Sequence, residues 1–175
     1  MNIIKRIWRI YCDKSGSDSK IRYLRKQGMK IGKNCHLETF SFSTEPFLVE
    51  IGDDVTIASG TVFITHDGAI VCFKADFPDD DIFGNIIVGN NVFIGDNCTL
   101  LPNTRIGNNC IVGAGSVLRG KFADNSVIIG NPAKVIAKMN VQKLIYSQNK
   151  DRLKTSNMTD AEKKPIVMQH FNKMK

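Results

Sequence analysis

The chain has 175 residues, of which 42% are hydrophobic and 23% are charged. This length suffices for one globular domain with its own core, and no apolar run is long enough to span a membrane. The net charge of +7 is divided into +8 over residues 1–33, −8 over 34–133 and +7 over 134–175, and a body that is acidic between basic ends argues against a nucleic-acid-binding protein.

The N-terminal segment, MNIIKRIWRIYC, places apolar residues at helical spacing with basic residues between them. Basic residues interrupt its apolar part and no small-residue cleavage site follows, so we expect no secretory signal and a cytoplasmic protein. We predict a basic helical region over residues 1–30 that caps one end of the folded body. Weak contact with an anionic membrane surface is the alternative.

The central part of the chain repeats every six residues. From Val88 it reads VGNNVF, IGDNCT, LLPNTR, IGNNCI, VGAGSV and LRGKFA, and IGKNCH at Ile31 and IGDDVT, IASGTV and FITHDG from Ile51 share the pattern. A period of six fits neither a helix nor a plain strand. It predicts short strands joined by tight turns, where Gly and Asn tolerate positive φ. The aliphatic residue that opens each repeat is predicted to point into a stacked core.

The repeat stops after Phe63 and resumes at Val88, 25 residues later instead of 6. The sequence therefore predicts an inserted loop over residues 68–86, and loops of this length are uncommon and often functional. His66 stands at the root of the loop, and histidine is the commonest general base at neutral pH.

The cysteines and histidines argue against a metal site. The chain has five cysteines, an odd number, and no CxxC pair, which indicates neither a disulfide framework nor a zinc knuckle. The three histidines are His36, His66 and His170, and no two of them have the close spacing of a zinc site, so we expect no metal. The tail over 138–175 is predicted to be helical, with a capping box in TDAE at 159–162 that Pro165 soon interrupts.

The six-residue repeat, the segment IRYLRKQGMKIGKNC at 21–35 and the segment GNPAKVI at 130–136 resemble the hexapeptide-repeat acyltransferases, in particular the galactoside, maltose and xenobiotic acetyltransferase branch. The resemblance covers about residues 20–140. It implies a mainly β fold, a left-handed parallel β-helix over 31–137 with three repeats per coil, preceded by a short helix and followed by a helical tail. Residues 18 apart then stack, and Cys98 and Cys110 fall on different sides.

The same resemblance implies a homotrimer that binds acetyl-CoA in grooves between subunits, with His66 as the catalytic base. Glu45, 21 residues upstream and about one coil away, is the candidate for orienting His66; an exposed loop acid is the alternative. Ser43 and Thr44 are weaker candidates for contact with the acceptor.

The donor-binding pattern of the family falls on eight residues here, namely Gly95, Asp96, Gly113, Ala114, Arg119, Asn131, Pro132 and Lys134. Gly95 and Asp96 would lie near the thiol, and Arg119 to Lys134 toward the nucleotide. This chain has Arg119-Gly120 where the family often has Thr-Lys, which leaves Arg119 or Lys121 to supply the charge. For Lys134 and Lys138 a solvated helix face is the alternative. A backbone amide near Gly84 or Gly95 is expected to stabilise the oxyanion.

These observations predict an acetyl-CoA-dependent O-acetyltransferase that acts on a saccharide or sugar-nucleotide acceptor, in the biosynthesis of a bacterial surface polysaccharide. Alternatives within the enzyme class are N-acetylation of an amino sugar and acetylation of serine or an antibiotic. A non-catalytic β-helix scaffold is the alternative from a different class, and it would not need a base at the root of a loop.

Overall fold

A computed structural model of the protein describes residues 16–173, so the predicted amphipathic helix at the start of the chain lies outside the described residues. The described part begins with helix α1 (Ser17–Lys26), which leads into the first coil and packs Ile21 and Leu24 against the core. None of the helices in residues 16–173 has the length and apolar character needed to span a bilayer.

Short strands then follow one another around a prism with three faces. They are β1 Lys30–Ile31, β2 His36–Leu37, β3 Ser41–Phe42, β4 Val49–Ile51, β5 Thr56–Ile57, β6 Val62–Phe63, β7 Ile86–Val88, β8 Val92–Ile94, β9 Thr99–Leu100, β10 Arg105–Ile106, β11 Cys110–Val112, β12 Val117–Leu118, β13 Lys121–Phe122, β14 Ser126–Gly130 and β15 Ala133–Lys138. The first face is the sheet β1-β4-β7-β10-β13, the second is β2-β5-β8-β11-β14-β15 and the third is β3-β6-β9-β12. All pairs are parallel except β14 with β15.

The predicted stacking of residues 18 apart is confirmed where the repeat is regular. The aligned pairs are Val88 with Ile106, Ile94 with Val112 and Leu100 with Leu118. All six side chains are buried, as are those of Ile51, Ile57 and Phe63 in the earlier repeats. The aliphatic residue that opens each of these repeats therefore forms the core.

Three coils depart from the 18-residue spacing. The pairs Ile31/Ile51 and Phe42/Phe63 are 20 and 21 residues apart, Phe63/Leu100 are 37 apart across the inserted loop, and Ile106/Phe122 are only 16 apart. The first coil is thus enlarged and the last coil is shortened. The enlarged first coil and the coil that the loop interrupts carry the candidate site.

The turns use Asn and Gly for two different reasons. The positive-φ residues within the repeats include Asn91, Asn97 and Asn109, as predicted. Gly52, by contrast, has an ordinary φ, but a Cβ there would lie 2.7 Å from the carbonyl oxygen of Gly89 in the next coil. This glycine is required by the close approach of stacked turns rather than by its backbone angles.

The β-helix ends in an antiparallel strand. Lys134 and Lys138 lie on β15, which returns alongside β14, so the alternative that placed them on a helix face is wrong. The segment after Gly130 reverses direction and pairs with the last coil before any helix begins.

Residues after Met139 form a second compact unit. It contains α2 (Met139–Gln148, which begins at the boundary) and α3 (Asp160–Asn172). The capping box between Thr159 and Glu162 is confirmed. Pro165, expected to interrupt this segment, lies inside α3. The helix is exposed there, so water can satisfy the Ala161 carbonyl that the proline leaves without a donor.

Candidate active site

His66 is held at the closed base of the inserted loop. The loop leaves the third face after β6 and returns to β7 at Ile86. At its base His66 pairs with Phe83 in an antiparallel bridge, the Asp67 N–H donates to the Ile82 carbonyl at 2.8 Å, and the Gly84 N–H donates to the Thr65 carbonyl at 2.8 Å. These contacts fix the backbone on both sides of the histidine.

The enlarged first coil brings Glu45 next to His66. Phe42 stacks on Phe63 with an offset of 21 residues, and the same offset continued along the chain places Glu45 opposite His66. A 3-10 turn over Pro46–Leu48 then absorbs the extra residues before β4. The extra residues form an outward corner that carries the carboxylate.

The imidazole and the carboxylate are in direct contact. His66 Nδ1 lies 2.9 Å from Glu45 Oε2, and the Ser43 hydroxyl lies 3.2 Å from both. The His66 side chain is 43% exposed and the Glu45 side chain is 17% exposed. The open side of this pair is therefore the imidazole, and the carboxylate lies behind it.

Three hydroxyl groups donate to the Glu45 carboxylate. They belong to Ser43 and Thr65, which bind Oε2, and to Thr44, which binds Oε1. Partial burial acts to raise the pKa of the Glu45 carboxyl, but hydrogen bonds from Thr44, His66 and Thr65 outweigh it and lower the pKa to about 2. Glu45 is thus an anion at neutral pH.

This arrangement selects one tautomer of His66. An ionised carboxylate can only accept hydrogen bonds, so it places the imidazole proton on Nδ1. Nε2 then has a free lone pair, and no hydrogen-bond partner for it occurs within residues 16–173. In the neutral form of the ring the basic nitrogen is therefore Nε2, and it is available to a proton donor.

A carboxylate partner alone does not distinguish His66 from the other histidines. His36 contacts Glu38, and His170 lies 2.8 Å from Asp151. Those carboxylates are 49% and 45% exposed, whereas Glu45 is largely buried. Only His66 combines a sheltered carboxylate with a position at the loop root. The described residues contain no group of three or more His, Cys, Asp or Glu placed to hold a metal ion.

Most of the predicted donor-binding residues form a separate row at a different corner. Gly95 and Asp96 follow β8, and Gly113 and Ala114 follow β11. Asn131 and Pro132 lie between β14 and β15, and Lys134 lies at the start of β15. All of these strands belong to the second face. His66 and Glu45 follow strands of the third face. One chain thus carries His66 and the row of predicted donor-binding residues on opposite edges of its third face.

Arg119 lies near His66 instead of with this row. It follows β12 on the third face, and its guanidinium is 3.6 Å from the carboxylate of Asp67, the neighbour of His66. The last coil is two residues shorter than the regular coils and turns at Arg119-Gly120. Asp67 also accepts a hydrogen bond from the Ala69 N–H at 3.1 Å, so it caps the first turn of the loop and does not contact the imidazole.

The two amides expected to stabilise an oxyanion are already occupied. The Gly84 N–H donates to the Thr65 carbonyl, and the Gly95 N–H donates to the Val112 carbonyl at 2.9 Å. Each is part of the backbone ladder that holds stacked coils together. The N–H groups of Gly84 and Gly95 themselves are therefore not available to an oxyanion in this arrangement, and an oxyanion donor among the amides near them stays a prediction.

Comparison with known proteins agrees with this architecture. A family model described as bacterial transferase hexapeptide (six repeats) matches residues 85–120. The chain is 39% identical to Protein CapG of Staphylococcus aureus over 151 residues, which are 85% of this chain and 87% of that protein. The chain belongs to the hexapeptide-repeat acyltransferase family. The left-handed parallel β-helix that the resemblance implies is thereby confirmed. The acyltransferase class is confirmed as well.

A second relative and a solved structure are also similar to this chain. A putative lipopolysaccharide biosynthesis O-acetyl transferase, WbbJ, from Escherichia coli strain K12 is 44% identical over 108 residues, 57% of this chain and 55% of that protein. A hexapeptide-repeat-containing acetyltransferase from Vibrio cholerae, solved with acetyl coenzyme A, superimposes with a TM-score of 0.56 at 17% identity, over 75% of this chain and 82% of its own. The likeness to the Vibrio cholerae structure shows a common fold and no more.

Sequence reasoning did not identify Thr65 and did not place Thr44 on the carboxylate. Thr65 is adjacent to His66 and therefore points to the opposite side of the strand, so it does not look like part of the same site. Its hydroxyl reaches Glu45 only because the first coil carries extra residues at this corner.

Proposed function

We propose that this protein transfers the acetyl group of acetyl-CoA to a hydroxyl group of a saccharide, in the assembly of a bacterial surface polysaccharide, with His66 as the general base. The observation on which the proposal rests is the sheltered Glu45 carboxylate 2.9 Å from Nδ1 of His66 at the loop root. Membership in a family whose relatives include a protein named as a lipopolysaccharide O-acetyl transferase supports the substrate class.

The geometry suits direct transfer between donor and acceptor. Nε2 of His66 removes the proton from the acceptor hydroxyl while its oxygen attacks the thioester carbonyl. Glu45 stabilises the imidazolium that forms, and the imidazolium then gives its proton to the departing thiolate of coenzyme A. No Ser, Thr or Cys side chain in residues 16–173 contacts Nε2, so the proposal contains no acyl-enzyme step.

We further propose that the donor is bound in part by the row Gly95, Ala114, Asn131 and Lys134 of a neighbouring subunit. Within one chain this row and His66 occupy opposite edges of the third face, and no hydrogen bond or ion pair joins the row to His66 or Glu45 in the described residues. The loop side chains Phe73, Phe77, Ile82 and Phe83 are exposed, and a second copy would cover them. Both features fit a homotrimer with an active site at each junction.

An acceptor screen tests the proposed function. Wild type, His66→Ala and the matched control His36→Ala are incubated with acetyl-CoA and a panel containing galactosides, sugar nucleotides, amino sugars and serine, and free thiol is measured. We expect acceptor-dependent thiol release with hydroxyl-bearing saccharides. The rate should fall about 10² to 10⁴-fold in His66→Ala and stay near wild type in His36→Ala.

The other outcomes of the screen are equally informative. Transfer only to the amino group of an amino sugar, or only to serine, would replace the O-acetyltransferase proposal by one of those activities. Absence of acceptor-dependent thiol release across the panel, with a folded protein, would favour the scaffold. Full activity in His66→Ala would remove this residue from the mechanism.

A further inference from the structure

Thr65 contacts the pair formed by His66 and Glu45 from the inside of the β-helix. Its side chain is completely buried, whereas that of the next residue, His66, is nearly half exposed. The Thr65 hydroxyl donates to Glu45 Oε2 at 2.8 Å, and His66 Nδ1 contacts the same oxygen at 2.9 Å. One carboxylate oxygen therefore joins a buried hydroxyl on one side and the imidazole on the other.

The three hydroxyl groups that donate to the Glu45 carboxylate differ in whether water could replace them. Thr44 is exposed and Ser43 is partly exposed, so solvent can supply a hydrogen bond to the carboxylate if either is lost. Thr65 lies where solvent does not reach, and Glu45 is its only acceptor in the described residues. A buried hydroxyl without an acceptor is unfavourable, so the carboxylate cannot turn away without stranding Thr65.

The backbone of Thr65 is fixed as well. Its carbonyl accepts the Gly84 N–H, and the next residue pairs with Phe83, so the returning strand of the loop holds Thr65 and His66 together. The hydroxyl is thus a rigid donor at a defined distance from the base. Ser43 and Thr44, by contrast, lie within two residues of Glu45 on the same outward corner.

We propose that Thr65 is a positioning residue for the His66–Glu45 pair. Its hydroxyl holds Glu45 Oε2 at the place where the carboxylate keeps the imidazole proton on Nδ1, and Nε2 therefore remains basic and correctly aimed. The proposal rests on the proposed role of His66 as general base. It assigns Thr65 no contact with either substrate.

The test compares Thr65→Val, which keeps the shape and removes the hydroxyl, with Thr65→Ser, which keeps the hydroxyl. Thr104→Val is the matched control, because Thr104 is equally buried but donates to the backbone carbonyls of Leu101 and Leu118. Each substitution is also made in a Glu45→Ala background. Steady-state kinetics are measured with an acceptor found in the screen.

We expect Thr65→Val to lower kcat roughly 10- to 100-fold, the effect of losing one hydrogen bond to a charged group, with both KM values unchanged. Thr65→Ser should recover most of the loss, and Thr104→Val should stay within about two-fold of wild type. In the Glu45→Ala background, Thr65→Val should change kcat by less than about two-fold, because the carboxylate it positions is gone.

A measurement that needs no turnover separates this proposal from the proposed function. The Glu45 carboxyl and the His66 ring nitrogens are followed by NMR during a pH titration. Thr65→Val should raise the pKa of Glu45 by about one unit or more, and Thr104→Val should not. If the enzyme proves inactive with every acceptor but this shift occurs, Thr65 still positions Glu45 and only the activity is wrong.

Two results would overturn the proposal. One is an equal loss of kcat in Thr65→Val and Thr104→Val, which would mean that both act through general stability. The other is a full, additive effect of Thr65→Val in the Glu45→Ala background, which would show that Thr65 does not act through this carboxylate.

Discussion

The depressed pKa of Glu45 makes the stability of the protein depend on pH. In the folded protein the pKa is about 2, compared with an ordinary value of 4.5. A carboxyl whose pKa is lowered by folding stabilises the fold above its unfolded pKa. The contribution is lost as the pH falls through the folded pKa, because the unfolded chain binds the proton first. The stabilisation by Glu45 should therefore be complete above about pH 5 and should disappear between pH 4.5 and 2.

The structure sets the size of this effect. A pKa lowered from 4.5 to about 2 corresponds to at most about 3 kcal/mol of unfolding free energy. The Glu45 side chain is 17% exposed and His66 is 43% exposed, so solvent screens part of the interaction. We therefore expect Glu45→Gln to destabilise the protein by about 1–3 kcal/mol at pH 7, and by much less at pH 2.5.

Urea unfolding at a fixed protein concentration measures the difference between wild type and Glu45→Gln at pH 7, 5, 4, 3 and 2.5. Glu38→Gln is the matched control, because Glu38 also contacts a histidine but is 49% exposed, and exposed ion pairs contribute little. A difference between wild type and Glu45→Gln that does not shrink between pH 4.5 and 2.5 would refute the reasoning. An equal, equally pH-dependent loss of unfolding free energy in Glu38→Gln would also refute it.

The remaining predictions concern the core, the turns and the assembly. Ile94→Ala should lower the unfolding free energy by roughly 2–5 kcal/mol, because Ile94 is completely buried between stacked coils; an unchanged urea midpoint would contradict this position. Gly52→Ala should destabilise by about 1–3 kcal/mol because its Cβ meets the next coil, whereas Gly68→Ala, which meets nothing within 4 Å, should be near neutral by thermal unfolding. Mixing inactive His66→Ala with inactive Ala114→Trp after dissociation and reassembly should restore part of the activity if sites are shared; exchanged subunits that stay inactive, or an active monomer in light scattering, would argue against the trimer.

The sequence by itself was sufficient for the stacked coils and their inward-facing core, whereas the left-handed sense came from the family resemblance. The six-residue period places one aliphatic residue on the inside of each side of the coil, and this inward pattern needs no knowledge of distant contacts. Ile94 and Val112, 18 residues apart, were expected to stack and do so. The Asn residues of the turns also follow from local chemistry, because Asn tolerates the left-handed backbone conformation. The break in the six-residue period after Phe63 predicts the inserted loop and places His66 at its root.

The details of the candidate site depend on how irregular coils stack, and the sequence does not display this. Two or three extra residues in the first coil decide that the carboxylate of Glu45 faces His66 and is not an exposed loop acid. The same offset lets the buried hydroxyl of Thr65 reach the carboxylate. Arg119 lies beside Asp67, away from the rest of the predicted donor row, because it directly follows β12 on the third face.

The physical reason is that local alternation decides the direction of a side chain, whereas the register between coils decides which residues become its neighbours. Alternation along a strand determines whether a residue such as Thr65 points inward, and the sequence reports that alternation directly. Which residues face each other at a corner depends on the cumulative register of every coil below, and a change of a few residues alters it. The backbone amides of Gly84 and Gly95 show the same dependence. Whether the Gly84 and Gly95 N–H groups are available is decided by the ladder between coils, which exists only in the folded stack.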